Sequence, residues 1–251
     1  MVNVVKPRHV LCAIGSGLDF GAVEEVVRQA GGLGFTVDRE YSEHEADPRM
    51  ADAFKACMAE ASFTDADWAA VAEHDSVTYV LSPPMTAETS VDVSQRVLAV
   101  VDALLRNGVT AVKNESNGLA HGRDHWLTLA GQLAGADEDF AKILLHSAFV
   151  KRLISDGSLC YTCGMHLLGV PEVEIDTAGV AGTPDERADL ADGLAIYLLT
   201  EERAGRIQDG EGFRLSAESP RWLMHSYPCD RYEDDDFFHN PYGAWRLTPA
   251  N

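Results

Sequence analysis

The spacing of apolar side chains changes repeatedly along the chain, and each change predicts an element. His9-Val-Leu-Cys-Ala-Ile14 is an unbroken apolar run closed by Gly15-Ser16-Gly17, with the length of a strand. Asp19 stands where a helix N-cap belongs, ahead of Val23, Val26, Val27 and Ala30, and Gly31-Gly32 ends that helix. Residues 35–41 alternate apolar and polar side chains and predict a half-buried strand. Asp47-Pro48 signals a helix carrying Ala51, Phe54, Cys57 and Met58, and Thr64 or Asp65 caps another that reaches Val71. Residues 77–81 predict a strand stopped by Pro83-Pro84. The clearest helix follows over 87–106, with Val93, Val97, Val100, Val101, Leu104 and Leu105 on one side. Residues 109–113 are again strand-like.

Past Gly118 the pattern becomes more helical. Trp126, Leu127, Leu129 and Leu133 predict one helix; Phe140, Ile143, Leu144, Ala148 and Leu153 predict a second, ended by Gly157. Strands are expected at 159–163 and 173–175, a helix from Pro184 to about Glu202, and closing strands at 222–227 and 244–247 around an acidic loop. Several links between neighbouring strands are too short for a parallel crossover. The expected fold is therefore α+β, with helices packed on a mixed or antiparallel sheet built from ferredoxin-like units; a doubly wound α/β sheet is the alternative. With 251 residues, 46% of them hydrophobic, the expectation is one domain over 1–251, divisible into halves 1–116 and 117–251.

Charge narrows the partners. Asp and Glu outnumber Lys and Arg by 40 to 20, for a net charge of −20, and no window forms a basic stripe. Phosphate backbones and anionic membranes are poor partners for such a surface, whereas a basic protein partner is electrostatically allowed. No apolar run is long enough to cross a bilayer. Five cysteines without a recognisable secretory signal fit reduced thiols in a cytoplasmic protein.

Four segments carry candidate chemistry. Gly15-Ser16-Gly17-Leu-Asp19-Phe-Gly21 lies between a strand and a helix, but its third glycine is displaced and Asp19 opposes a phosphate, so a tight turn is expected. Cys160, Cys163 and His166, completed by Cys229 or His225, contain zinc-type ligands. Strand alternation would send Cys160 and Cys163 to opposite faces, so no metal or other cofactor is expected, and Cys160, Cys163, His166 and Cys229 are the metal alternative. The segment 115–126 gathers Glu115, Ser116, His121, Arg123 and His125 behind a strand end, a place where binding groups collect. Glu115, Ser116, His121 and His125 are the candidate ligand-binding residues, with His121 as proton carrier or ligand; Asp124 is expected to cap the helix bearing Trp126. Asp230 to Asp236 is expected to be a solvated acidic loop pinned by Phe237 and Phe238, and His146 a hydrogen-bonded core histidine.

The stretch Thr162-Cys-Gly164-Met165-His-Leu-Leu-Gly169-Val-Pro171-Glu172-Val-Glu174-Ile175, with Ala111-Val112-Lys113, Ser116, Gly118, Ala120-His121 and Trp126, resembles a bacterial family catalogued as domain of unknown function 4261. The resemblance implies a Gly-Met turn feeding an alternating strand and a long helix, and association with toxin–immunity systems. It implies no catalytic residues. Two functions remain open: an immunity-like interaction protein using an acidic surface, or a small-ligand or metal-dependent enzyme with a pocket near Glu115, His121 and His125.

Overall fold

A computed structural model describes residues 6–59, 62–178 and 182–250. The first half runs β1 (Val10–Gly15), α1 (Phe20–Gly31), β2 (Thr36–Glu43), α2 (Met50–Cys57), α3 (Asp65–Ala72), β3 (Ser76–Leu81), α4 (Ser90–Arg106), β4 (Val109–Asn114) and the short β5 (Leu119–Ala120). Its sheet has the order β2-β3-β1-β4-β5 with every neighbouring pair antiparallel. The order of β1 to β4 is that of a ferredoxin-like unit, interrupted by α2 and α3 between β2 and β3. The predicted caps work locally: Asp19 accepts from the Gly21 N–H, and Thr64 and Asp67 form a reciprocal capping box on α3.

The second half comprises α5 (Arg123–Leu133), α6 (Glu138–Phe149), β6 (Lys151–Asp156), β7 (Leu159–Cys163), β8 (Glu172–Asp176), α7 (Pro184–Thr200), β9 (Glu211–Phe213), β10 (Trp222–Tyr227) and β11 (Ala244–Pro249). Its sheet order is β6-β7-β8-β11-β10-β9, with β8 and β11 the parallel pair and the other neighbours antiparallel. The architecture is α+β, not doubly wound. Two three-stranded meanders flank α7, so this half has a different topology from the first.

The helix expected to run to Leu153 stops at Phe149, and 151–156 form β6. Val150 turns extended at the helix C-cap, and Gly157, at φ 59°, closes a hairpin that pairs β6 with β7. Leu153 satisfies a helical spacing by itself, but Lys151 and residues 154–156 on either side of it pair with β7 and carry it into the strand.

One apolar cluster joins both halves: Leu11, Val80 and Val112 from the first sheet, Val97 and Leu104 from α4, then Trp126, Phe149, Ile175, Leu194 and Leu247. A second, smaller cluster occupies the other face of the first sheet, where Cys12, Ile14, Val77 and Ala111 meet Met50, Phe54 and Val71 from α2 and α3. Strand β1 is thus buried on both faces, which explains its unbroken apolar run. Among the described residues no helix is long and apolar enough to cross a membrane.

The Gly164–Glu172 segment turns as its glycines demand. Gly169 has φ 80°, and a Cβ there would lie 2.4 Å from Ser90 Oγ and 2.8 Å from the Ala87 carbonyl oxygen on the approach to α4. Gly169→Val is expected to destabilise by at least ~1 kcal/mol, from backbone strain and the lost fit against α4. A urea midpoint unchanged from that of the native protein would refute this.

Candidate functional site

The four residues proposed from segment 115–125 serve different parts of the fold. Ser116 is buried and its hydroxyl donates to the Arg8 carbonyl (2.7 Å) while accepting from the Val10 N–H (3.1 Å). It ties the chain entering β1 to the chain leaving β4. His121 is buried against Trp126, their rings 4.6 Å apart and edge-to-face, and its Nε2 donates to the Ala148 carbonyl at the end of α6 (3.2 Å). Burial above all, and then the neighbouring His125, hold its pKa down at about 4 against the opposing carbonyls of Ala148 and Ser147. Its Nδ1 has no hydrogen-bond partner among the described residues. His125 stacks obliquely on His121, with ring centroids 4.7 Å apart, and burial lowers its pKa too.

Asp124 does not cap α5. Gly122 occupies the cap position, and Asp67 on α3 accepts the Arg123 N–H at 2.8 Å. A carboxylate from another helix has taken the role that the adjacent one was expected to fill.

The zinc-type residues also separate. Cys160 lies in the main apolar cluster, while Cys163, three positions along β7, faces the other way and lines a cavity of about 20 Å³ with Glu172 and Cys229. Burial and the Glu172 carboxylate push the Cys163 thiol well above its usual range. Among the described residues, no three His, Cys, Asp or Glu side chains are placed to hold a metal ion. His166 instead shares Glu172: its Nδ1 lies 3.3 Å from Oε1.

Glu172 is a hub. Its carboxylate accepts from the Thr162 hydroxyl (2.7 Å), the Gly164 and His166 N–H groups (3.2 and 3.3 Å) and the Asn240 side-chain amide (3.1 Å). Glu172 and its donors therefore hold β7, β8 and the C-terminal segment together. Gly17 at the first loop is similarly structural, its N–H donating to Asp75 Oδ1 at 2.7 Å.

His146 is buried as expected but not hydrogen-bonded as expected. Its Nε2 lacks a hydrogen-bond partner among the described residues and lies 3.9 Å from Asp192, whose carboxylate is taken by Arg152. Burial, then the Arg152 charge, lower its pKa to about 4, against Glu172.

A serine–histidine–asparagine arrangement, not read from the sequence, lies within the first half and reaches the second through one bond from Ser94. His9 Nε2 is 2.8 Å from Ser94 Oγ, and Asn114 Nδ2 is 2.9 Å from His9 Nδ1. Asn114 Oδ1 accepts the Ser116 N–H, so its amide nitrogen must donate to His9 Nδ1. The imidazole proton then sits on Nε2 and donates to Ser94, whose own proton goes to the Leu167 carbonyl (2.8 Å). This tautomer cannot accept the serine proton, so the network is structural and not nucleophilic. Burial and then His166 keep His9 neutral, with a pKa of about 3.

The remaining candidate, Glu115, opens onto a groove of about 610 Å³ on the outer face of the first sheet, beyond the part covered by α2 and α3. Val10, Tyr79 and Leu81 form its floor. Asp38 and Tyr41 from β2 make one wall, and Phe237 and Phe238 from the segment before β11 make the other. Glu115 pairs with Lys113 at 2.5 Å, and Lys113 is 4% exposed. Burial alone would lower the lysine pKa, yet its neighbours Cys12 and Glu115 raise it overall. Since burial pushes the Cys12 thiol up to about 12, that thiol is neutral at pH 7 and Glu115 is the charge that holds the ammonium. Arg8, also lining the groove, donates to the Ser82 carbonyl. Of the predicted binding residues, Glu115 alone is among those lining this groove. The acidic loop is exposed as expected, but it is pinned through Phe238, since Phe237 is 49% exposed.

Comparison with known proteins adds no relative: no family model, curated protein or solved structure matches the chain.

Proposed function

We propose that this chain is an immunity-like interaction protein that receives a basic protein partner on the acidic surface around the groove. The observation that carries this reading is the charge of the two walls. Segment 38–43 holds three carboxylates and one arginine, and segment 230–236 holds five and one. Both arginines are engaged elsewhere, Arg39 with Glu24 and Arg231 with Asp156 and Glu174. The two segments thus carry a net excess of carboxylates beside the groove, where Asp38 lines it within the field of the Arg8 guanidinium, and that excess attracts cationic surfaces. Segment 162–175 is engaged in holding the second sheet together and supplies no site to this reading. The enzyme alternative draws no support from the geometry, because Glu115 faces the groove while His121 packs against α6.

A short arginine–serine peptide is a direct probe. Its binding is expected to weaken with added salt and to fall by at least about tenfold in a Glu233→Gln, Asp234→Asn, Asp235→Asn variant. Equal weakening by Asp185→Asn with Asp189→Asn, on α7, would show unspecific attraction to a polyanion and defeat the proposal.

A further inference from the structure

We infer that the groove takes an aromatic or large apolar anchor side chain from a basic segment of the partner, while flanking Arg or Lys residues meet the acidic walls. This rests on the basic-partner reading and adds what the groove itself recognises.

The floor offers an incoming charge little. The buried Lys113 already pairs with Glu115, whose side chain is partly exposed to the groove, and the Arg8 guanidinium already donates to the Ser82 carbonyl. A new cation or anion entering there would lose its hydration and compete with an existing partner. An apolar ring has no such cost: it exchanges water for contact with Val10, Leu81, Tyr79 and Phe238. The volume of about 610 Å³ lies within the range of roughly 300–1,000 Å³ in which proteins bind compact ligands.

The rim points to the same occupant. Tyr41 is 65% exposed on one wall and Phe237 is 49% exposed on the other. Two large apolar side chains facing water across an apolar groove form a contact surface, and the carboxylates beside them supply the polar surround. An amphipathic basic segment complements both features, with its ring buried and its cations outward. An acidic or purely polar segment complements neither.

Two peptides separate the anchor from the electrostatics: one with a central tryptophan flanked by arginines, and one with serine in the tryptophan position. The tryptophan peptide is expected to bind the native protein at least about tenfold more tightly. Phe237→Ser and Tyr41→Ser should remove that advantage while leaving the serine peptide's affinity unchanged. Both side chains are exposed, so these variants should keep the native melting temperature. Equal affinity for the two peptides would overturn the anchor and leave the basic-partner reading standing; no binding of either would overturn both. A native dimer in sedimentation that Phe237→Ser converts to monomer would assign the groove to a second copy of this chain and also overturn the inference.

Discussion

Acidification from about pH 6.5 to about pH 4.5 is expected to remove several kcal/mol of stability, above the range where ordinary carboxylates titrate. Three buried histidines are responsible: His9, with a pKa of about 3, and His121 and His146, each about 4. In the unfolded chain each takes up a proton near pH ~6.5, whereas in the fold it stays neutral. The unfolded state therefore binds more protons throughout this window, and stability rises with pH. Their contribution is fully present above pH ~6.5 and is lost as the pH falls toward the folded values. Each histidine contributes a slope of up to about 1.4 kcal/mol per pH unit, so three give about 4 kcal/mol per pH unit, a large loss over two units for a chain whose total stability is typically about 5–15 kcal/mol. Urea midpoints between pH 7.5 and 4.5 measure it. His146→Leu should remove about a third of the slope and, because Nε2 has no hydrogen-bond partner among the described residues, should be more stable than the native protein at pH 5. A flat profile above pH 5 would mean that these imidazoles protonate freely in the fold.

Glu172→Ala is expected to cost about 3–5 kcal/mol, because removing this partly buried carboxylate strips a charged acceptor from donors on the buried Thr162, His166 and Asn240. The Thr162 hydroxyl, the Gly164 and His166 N–H groups and the Asn240 amide all lose their shared carboxylate. For a chain of this size the melting temperature should fall by about 10 °C. Glu172→Gln keeps the shape but turns an amide donor toward those donors, so an intermediate loss is expected. Asn240 also donates to the Val170 carbonyl (3.1 Å) and sits two residues after Phe238, so freeing it should loosen the groove wall and weaken binding of the tryptophan peptide. A loss below about 1 kcal/mol in Glu172→Ala would remove Glu172 from this role.

Much of the fold was legible because it is written in short-range spacing. The doubly buried run of β1, the apolar stripe of α4, and the caps at Asp19 and Thr64 all depend on residues within one or two turns of each other. Lys151 to Asp156 carried no such decisive signal, and became a strand because β7 lies alongside. The candidate site failed for a related reason. Glu115, Ser116, His121 and His125 are close in sequence, but alternation at a strand end sends Glu115 outward and Ser116 into the sheet, and the next turn carries His121 to α6. Sequence proximity is not convergence of side chains. The groove needs β1, β2, β3 and a segment more than a hundred residues further on, and the His9 network joins residues 85 and 105 positions apart. Local spacing and composition were enough to say which stretches bury which face and how acidic the chain is. Which polar groups meet was settled by the packing of distant elements, since a side-chain hydrogen bond depends on distances of about 3 Å that local periodicity does not set.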